Sequence, residues 1–204
     1  MPELPEVEVV RRSLNTFICG LKIKKVDIFN NKLRYIINPN LKKVLKKQKI
    51  ISVKRRAKFL LIDIQNNNTL LIHLGMTGKI FIINKNKKIT LKTSFYYNSD
   101  FIKKHNHLKI KFNNNIELIY NDVRKFGFIK LLKTDKTKNC INLLNLGPEP
   151  LSDEFNFSYM KSRVKKCKKN IKNFLMDQKY ISGIGNIYAN EILFKSSINP
   201  RKPV

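Results

Sequence analysis

Residues 108–120 carry a period-two apolar pattern on either side of a turn. Leu108, Ile110 and Phe112 are separated by Lys109 and Lys111, and after Asn113-Asn114-Asn115 the pattern resumes at Ile116, Leu118 and Tyr120. A period of two puts the apolar side chains of a strand on one face, and asparagine tolerates the backbone of a tight turn. The stretch therefore predicts a β-hairpin with one buried face. The segments around Ile23–Phe29, Ile50–Ile64, Thr69–Ile83 and Phe126–Leu132 are equally rich in Ile, Leu, Val and Phe, and Asn-rich turns break them. Many short strands of this kind predict a β-sandwich or barrel-like body.

The two ends follow a different rhythm. Val7, Val10, Leu14 and Phe17 recur at helical spacing, with Pro5 fit for the first turn, Glu6 and Glu8 near the positive end of the dipole, and Gly20 placed to stop the helix. Beyond Thr134 the chain becomes polar, then stiff at Leu146-Gly147-Pro148-Glu149-Pro150-Leu151, then helical over Ser152–Cys167, Ile171–Asp177 and Asn186–Phe194. The expected fold class is α+β. An N-terminal helix and β-sandwich domain is expected over residues 1–133, a linker over 134–150 and a short helical domain over 151–204. About fifty residues make a marginal independent core, so the second domain is expected to lean on the first.

Forty-two Lys and Arg oppose 14 Asp and Glu, for a net charge of +28. A chain this basic usually faces a polyanion, most often nucleic acid. Abundant Lys, Asn and Ile also suit an A/T-rich coding sequence, which accounts for part of the excess. Cys19, Cys140 and Cys167 are scattered and form no C-x-x-C pair, which favours a reducing compartment over a disulfide framework. His73, His105 and His107 add no zinc pattern to them; His105 and His107 alternate, as if on one strand face. No apolar run approaches a membrane span, and the acidic, proline-containing start is no signal peptide.

Several residues carry chemistry. If Met1 is removed, Pro2 becomes a terminal secondary amine. An α-amino group has a pKa of roughly 7.7–8.0, so part of it is neutral and nucleophilic near neutrality. Such an amine can hold a sugar carbon as an iminium, with the Glu3 carboxyl tied next to it to pass protons. The bland alternative for this opening is a helix start. Lys58 sits where Lys54-Arg55-Arg56 gives way to an apolar run, fit for proton transfer or for snorkelling at a strand edge. Met76 lies between Gly75 and Gly78, in a tight loop or in the core. Arg124 and Phe126 set a cation and an aromatic two positions apart, suited to entering a duplex or to a phosphate contact and core packing. Asn186 follows Gly183-Ile184-Gly185 at a helix start, as an N-cap near backbone amides that favour phosphate.

In one order the chain carries MPELPEVE, RRAKFLL, IHLGMTG, DVRKFG, LGPEPL and FLMDQKYISGIGNIYANEILF. Together these blocks closely resemble the formamidopyrimidine-DNA glycosylases of base-excision repair, over nearly the whole chain from Pro2. Leu4 favours this branch over the sister endonuclease VIII branch, whose opening usually reads PEGPE. The resemblance implies Pro2 as the nucleophile on C1′, Glu3 as acid/base, Glu6 as a supporting carboxylate, and Lys58 as the lysine assisting β-elimination. It implies Met76, Arg124 and Phe126 as the trio filling the space left by a flipped base. His105, Arg124 and Asn186 match DNA-backbone contacts. One phosphate-binding lysine of the family falls at Cys167, with Lys166 and Lys168 beside it as substitutes.

The family continues past this region into a four-cysteine zinc finger, which supplies an arginine for δ-elimination and a hold on the minor groove. The sequence stops at Val204, so no zinc or other cofactor is expected within it. The implied activity is a glycosylase and AP lyase removing 8-oxoguanine and formamidopyrimidines from double-stranded DNA. The chain is expected to be a monomer, cytoplasmic and nucleoid-associated in a bacterium. A catalytically impaired DNA-binding remnant of the family is the second reading. A general basic RNA-binding protein would explain the charge, but not Pro2, Glu3 and Lys58 together.

Overall fold

The computed structural model describes residues 2–84, 89–92, 102–165 and 167–204. It divides into two compact units, Met1–Thr137 and Lys138–Val204. The first unit opens with helix α1 (Leu4–Ile18), followed by strands β1 (Ile23–Ile28) and β2 (Ile50–Arg56) with the short helix α2 (Leu41–Leu45) between them. Strands β3 (Phe59–Ile64), β4 (Asn68–His73), β5 (Gly78–Asn84), β6 (Ile89–Lys92), β7 (Asn106–Phe112), β8 (Ile116–Asp122) and β9 (Phe128–Lys133) complete it. All pairings are antiparallel, in a five-stranded sheet β1-β7-β8-β5-β6 and a four-stranded sheet β2-β3-β4-β9. One apolar cluster draws on both sheets and on α1, giving the mixed helix-and-sandwich class that the sequence predicts.

The 108–120 pattern forms the β7–β8 hairpin. Ile110 faces Leu118, and Asn115 takes the turn at φ +61°. Two longer segments each split in two. Ile50–Ile64 turns at Ala57-Lys58, and Thr69–Ile83 turns between His73 and Gly78. Both breaks fall inside segments with apolar residues on either side, so periodicity alone does not place the turn.

Helix α1 buries Val7, Val10, Leu14 and Ile18, each worth about 1.5–3 kcal/mol on transfer from water. Its chain then passes Cys19 to Gly20 at φ +82°, a left-handed stop that glycine adopts without strain. The same helix covers the outer edge of β2. The Cys19 thiol donates to the Ile51 carbonyl at 3.1 Å, and the Gly20 amide donates to Ile50 O at 2.9 Å. These bonds occupy backbone groups of Ile50 and Ile51 at the start of that edge, which blunts it against pairing with another strand.

The second unit holds α3 (Ile141–Leu144), α4 (Phe157–Val164), α5 (Ile171–Met176) and α6 (Asn186–Lys195). Helix α4 is shorter than the apolar pattern suggests, because the Asn156 side chain accepts from the Tyr159 amide and fixes the start. A small core gathers Cys167, Phe174, Leu175, Ile181, Ile184, Ala189 and Leu193. Among the described residues no helix is long and apolar enough to cross a membrane.

Candidate functional site

Pro2 and Glu3 precede the first turn of α1. Glu3 is its N-cap in a capping box: its side chain accepts from the Glu6 amide, and its own amide donates to Glu6 Oε2 at 2.8 Å. The Glu3 side chain is buried. Lys58, at the β2–β3 turn, is also buried, at 5 % exposure. Burial pushes its pKa below the usual lysine value, while Glu3 and Glu6 act the other way and favour the ammonium. Two carboxylates and one lysine thus share a corner beside the chain terminus. Half-exposed Pro2 adjoins it.

A second constellation lies on two loops of the same unit. Met76, at 43 % exposure, tips the β4–β5 loop, and Phe126, at 46 %, lies in the β8–β9 loop. Phe126 therefore precedes the strand that the sequence reading begins with it. Arg124 is exposed, with its guanidinium 4.7 Å from the Phe126 ring centroid.

The loop stems are fixed by groups that sequence reasoning did not assign. The wholly buried Asp122 carboxylate accepts from the Thr77 hydroxyl and, at 2.9 Å, from the Gly127 amide. Thr77 Oγ1 in turn accepts from the Arg124 amide at 3.0 Å. The two loops touch through glycine: a Cβ on Gly75 (φ +62°) would lie 2.5 Å from the Gly127 nitrogen. His73 Nδ1 accepts from the Gly75 amide at 3.1 Å, and Tyr120 donates to the His73 carbonyl at 3.2 Å. Burial, together with the charges of Lys58 and Arg34, drives His73 down to about 4, so its ring is neutral at physiological pH. Asp122 and Tyr120 share one face of β8, two residues apart, but sequence spacing could not reveal their partners on two other segments.

Other expected site residues are dispersed. His105 ends a 3₁₀ turn (Lys103–His105) and is half-buried, whereas His107 is buried on β7, its Nε2 donating to Asp122 O at 2.8 Å. They do not share a strand face, because β7 begins after His105. Asn186 is the first residue of α6, exposed; Gly185 takes the N-cap position in its place. The turn before it is held by Gln178, whose side chain accepts from the Gly183 amide at 2.9 Å and donates to Ile184 O at 2.8 Å. Cys167 points into the second core and Lys168 is exposed, while Lys166 lies outside the described residues. Among the described residues no group of three or more His, Cys, Asp or Glu side chains could hold a metal ion.

A helix-led antiparallel sandwich followed by a helix–two-turn–helix unit defines a class of DNA glycosylase, and comparison with known proteins narrows it. Residues 1–129 match the formamidopyrimidine-DNA glycosylase N-terminal domain, and residues 146–204 match the H2TH domain of the same enzymes. A formamidopyrimidine-DNA glycosylase of Rickettsia bellii is 42% identical over 202 residues, covering 99% of this chain and 69% of the relative. One from Dinoroseobacter shibae is 37% identical over 200 residues, covering 98% and 69%. Among solved structures, Lactococcus lactis Fpg in complex with abasic-site DNA superposes with a TM-score of 0.83 at 33% identity, covering 98% of this chain and 69% of that one. The wild-type L. lactis enzyme with N7-benzyl-Fapy-dG DNA gives 0.84 at 34%, covering 99% and 70%. The chain belongs to the formamidopyrimidine-DNA glycosylase family, whose work is base-excision repair of DNA.

Proposed function

We propose that the chain, once Met1 is removed, excises oxidised purines such as 8-oxoguanine and formamidopyrimidines from duplex DNA and then cleaves the strand. The neutral Pro2 nitrogen attacks C1′ of the damaged nucleotide. The C1′–base bond breaks and the base leaves with a proton. The C1′–O4′ bond then opens, O4′ takes a proton, and an iminium links Pro2 to C1′. The iminium acidifies C2′; a base removes that proton, and the C3′–O bond breaks with the phosphate leaving on the downstream strand. Water finally hydrolyses the iminium, releasing an α,β-unsaturated aldehyde on the upstream strand and freeing Pro2. Glu3 protonates O4′, while Lys58 and Glu3 handle the proton at C2′. Met76, Arg124 and Phe126 occupy the vacated stack, and His105, Asn186 and Lys168 contact the DNA backbone.

One observation supports this reading above the others: a buried lysine faces two carboxylates at the chain terminus, where a helix cap alone needs no lysine. Borohydride trapping on an abasic duplex tests it, using protein whose terminal Pro2 has been verified by mass spectrometry. A covalent adduct is expected, and none should form with Met1 retained. Affinity for duplex should fall steeply with salt, as displaced cations require. The second reading is a catalytically impaired DNA-binding remnant of the family, and buried Cys167, where the family's phosphate-binding lysine would fall, weakens the grip on DNA in either reading. The remnant reading predicts duplex binding without nicking.

A further inference from the structure

Ala57 adopts φ +51° and is wholly buried, although a residue with a Cβ is strained there. It immediately precedes Lys58, so its backbone sets the direction in which the lysine leaves the β2–β3 turn. The Ala57 carbonyl accepts from Arg55 Nη1 at 3.1 Å. The same guanidinium donates through Nε to Glu8 Oε2, on α1, at 3.0 Å. Arg11 and Arg12 also bind Glu8, at 2.8–3.0 Å, and with Arg55 they hold its carboxyl down at about 2, Arg11 acting most strongly. Arg55 is therefore a fork with one prong on the helix that Glu3 caps and the other on the turn that carries Lys58. Its side chain is only 14% exposed, so its stem is packed as well.

We propose that Arg55, anchored by Glu8, is a positioning residue that fixes Lys58 relative to Pro2 without touching the DNA. This rests on the catalytic reading of Pro2 and Lys58 given above. Lysine at position 55 keeps a charge opposite Glu8 but has no planar fork to reach both partners. Misplacement of a catalytic group by about 1 Å costs on the order of a hundredfold in rate.

The test is single-turnover borohydride trapping of the Met1-processed chain on an abasic duplex, alongside duplex affinity and Tm. Arg55→Lys is expected to slow trapping on the order of ten- to a hundredfold, with duplex affinity unchanged. Glu8→Gln should slow it similarly, and the double variant no further, because the two residues act as one unit. Adding Ala57→Gly to Arg55→Lys separates positioning from stability, since glycine takes the left-handed conformation without strain. Positioning predicts that Tm recovers and the trapping rate does not. Recovery of both, or an Arg55→Lys chain that traps as fast as its parent, would overturn this assignment alone. A parent chain that forms no adduct would overturn the Pro2 reading and this inference with it.

Discussion

The corner around Pro2 and the pair of loops bearing Met76 and Phe126 solve opposite problems. In the corner, the groups proposed to do chemistry are themselves buried: Glu3 and Lys58 are 2% and 5% exposed. At the loops, the groups proposed to enter DNA are left open, and the buried residues are their supports, Asp122, Tyr120 and Gly127. Proton transfer gains from a dry setting that shifts a lysine's pKa, whereas a wedge must be reachable yet unable to fold back. Rigidity is thus invested directly in the reacting groups at one place, and one residue behind the working groups at the other.

Five substitutions test that contrast. Lys58→Met should carry the largest effect, lowering the trapping rate about 10²- to 10⁴-fold, with the fold intact by circular dichroism. An unaltered rate would remove the lysine from the chemistry. Asp122→Asn should destabilise by about 1.5–3 kcal/mol, the range for hydrogen bonds to a charged group. That corresponds to a Tm loss of several degrees, together with weakened duplex binding. Met76→Ala should weaken binding but leave Tm in place, because Met76 is exposed; equal Tm losses in both variants would erase the distinction between wedge and support.

The other two substitutions read out against pH. His73 is depressed from 6.5 to about 4 in the folded chain, chiefly by burial. A depressed value means that its contribution is complete above about pH 6.5 and is lost as pH falls towards 4. Tm should therefore decline across that window, and His73→Gln should flatten this part of the profile. The smallest effect belongs to Glu8, held down from 4.5 to about 2 by Arg11 first and then Arg12 and Arg55. Its contribution is complete above about pH 4.5 and disappears as pH falls to 2. Glu8→Gln should reduce the acid slope there only modestly, because the group is partly solvated.

Much of this was legible in the residues. The Asn113–Asn115 turn with its flanking alternation gave the β7–β8 hairpin, and Val7, Val10 and Leu14 gave the buried face of α1, because both signals are local. The ordered motif blocks pointed to the family. Position 57 was opaque: alanine carries no mark of a left-handed conformation, so the β2–β3 turn and the orientation of Lys58 could not be read there. Asp122 was equally silent, since its partners Thr77 and Gly127 come together only when β5 pairs with β8 and the β8–β9 loop doubles back. The N-cap of α6 fell one residue earlier than Asn186 suggests, because the Gln178 side chain had already shaped the preceding turn.

Helix α1 serves two ends at once. Pro2 stands ahead of its first turn, while Cys19 and Gly20, just past its last turn, bond the start of the β2 edge. A purification tag fused in front of Pro2 would convert the proposed nucleophile into an ordinary amide and leave those bonds untouched. On the reading of Pro2 proposed above, such a preparation would fold yet form no adduct, so a silent assay on tagged protein would report on cloning strategy and not on the enzyme.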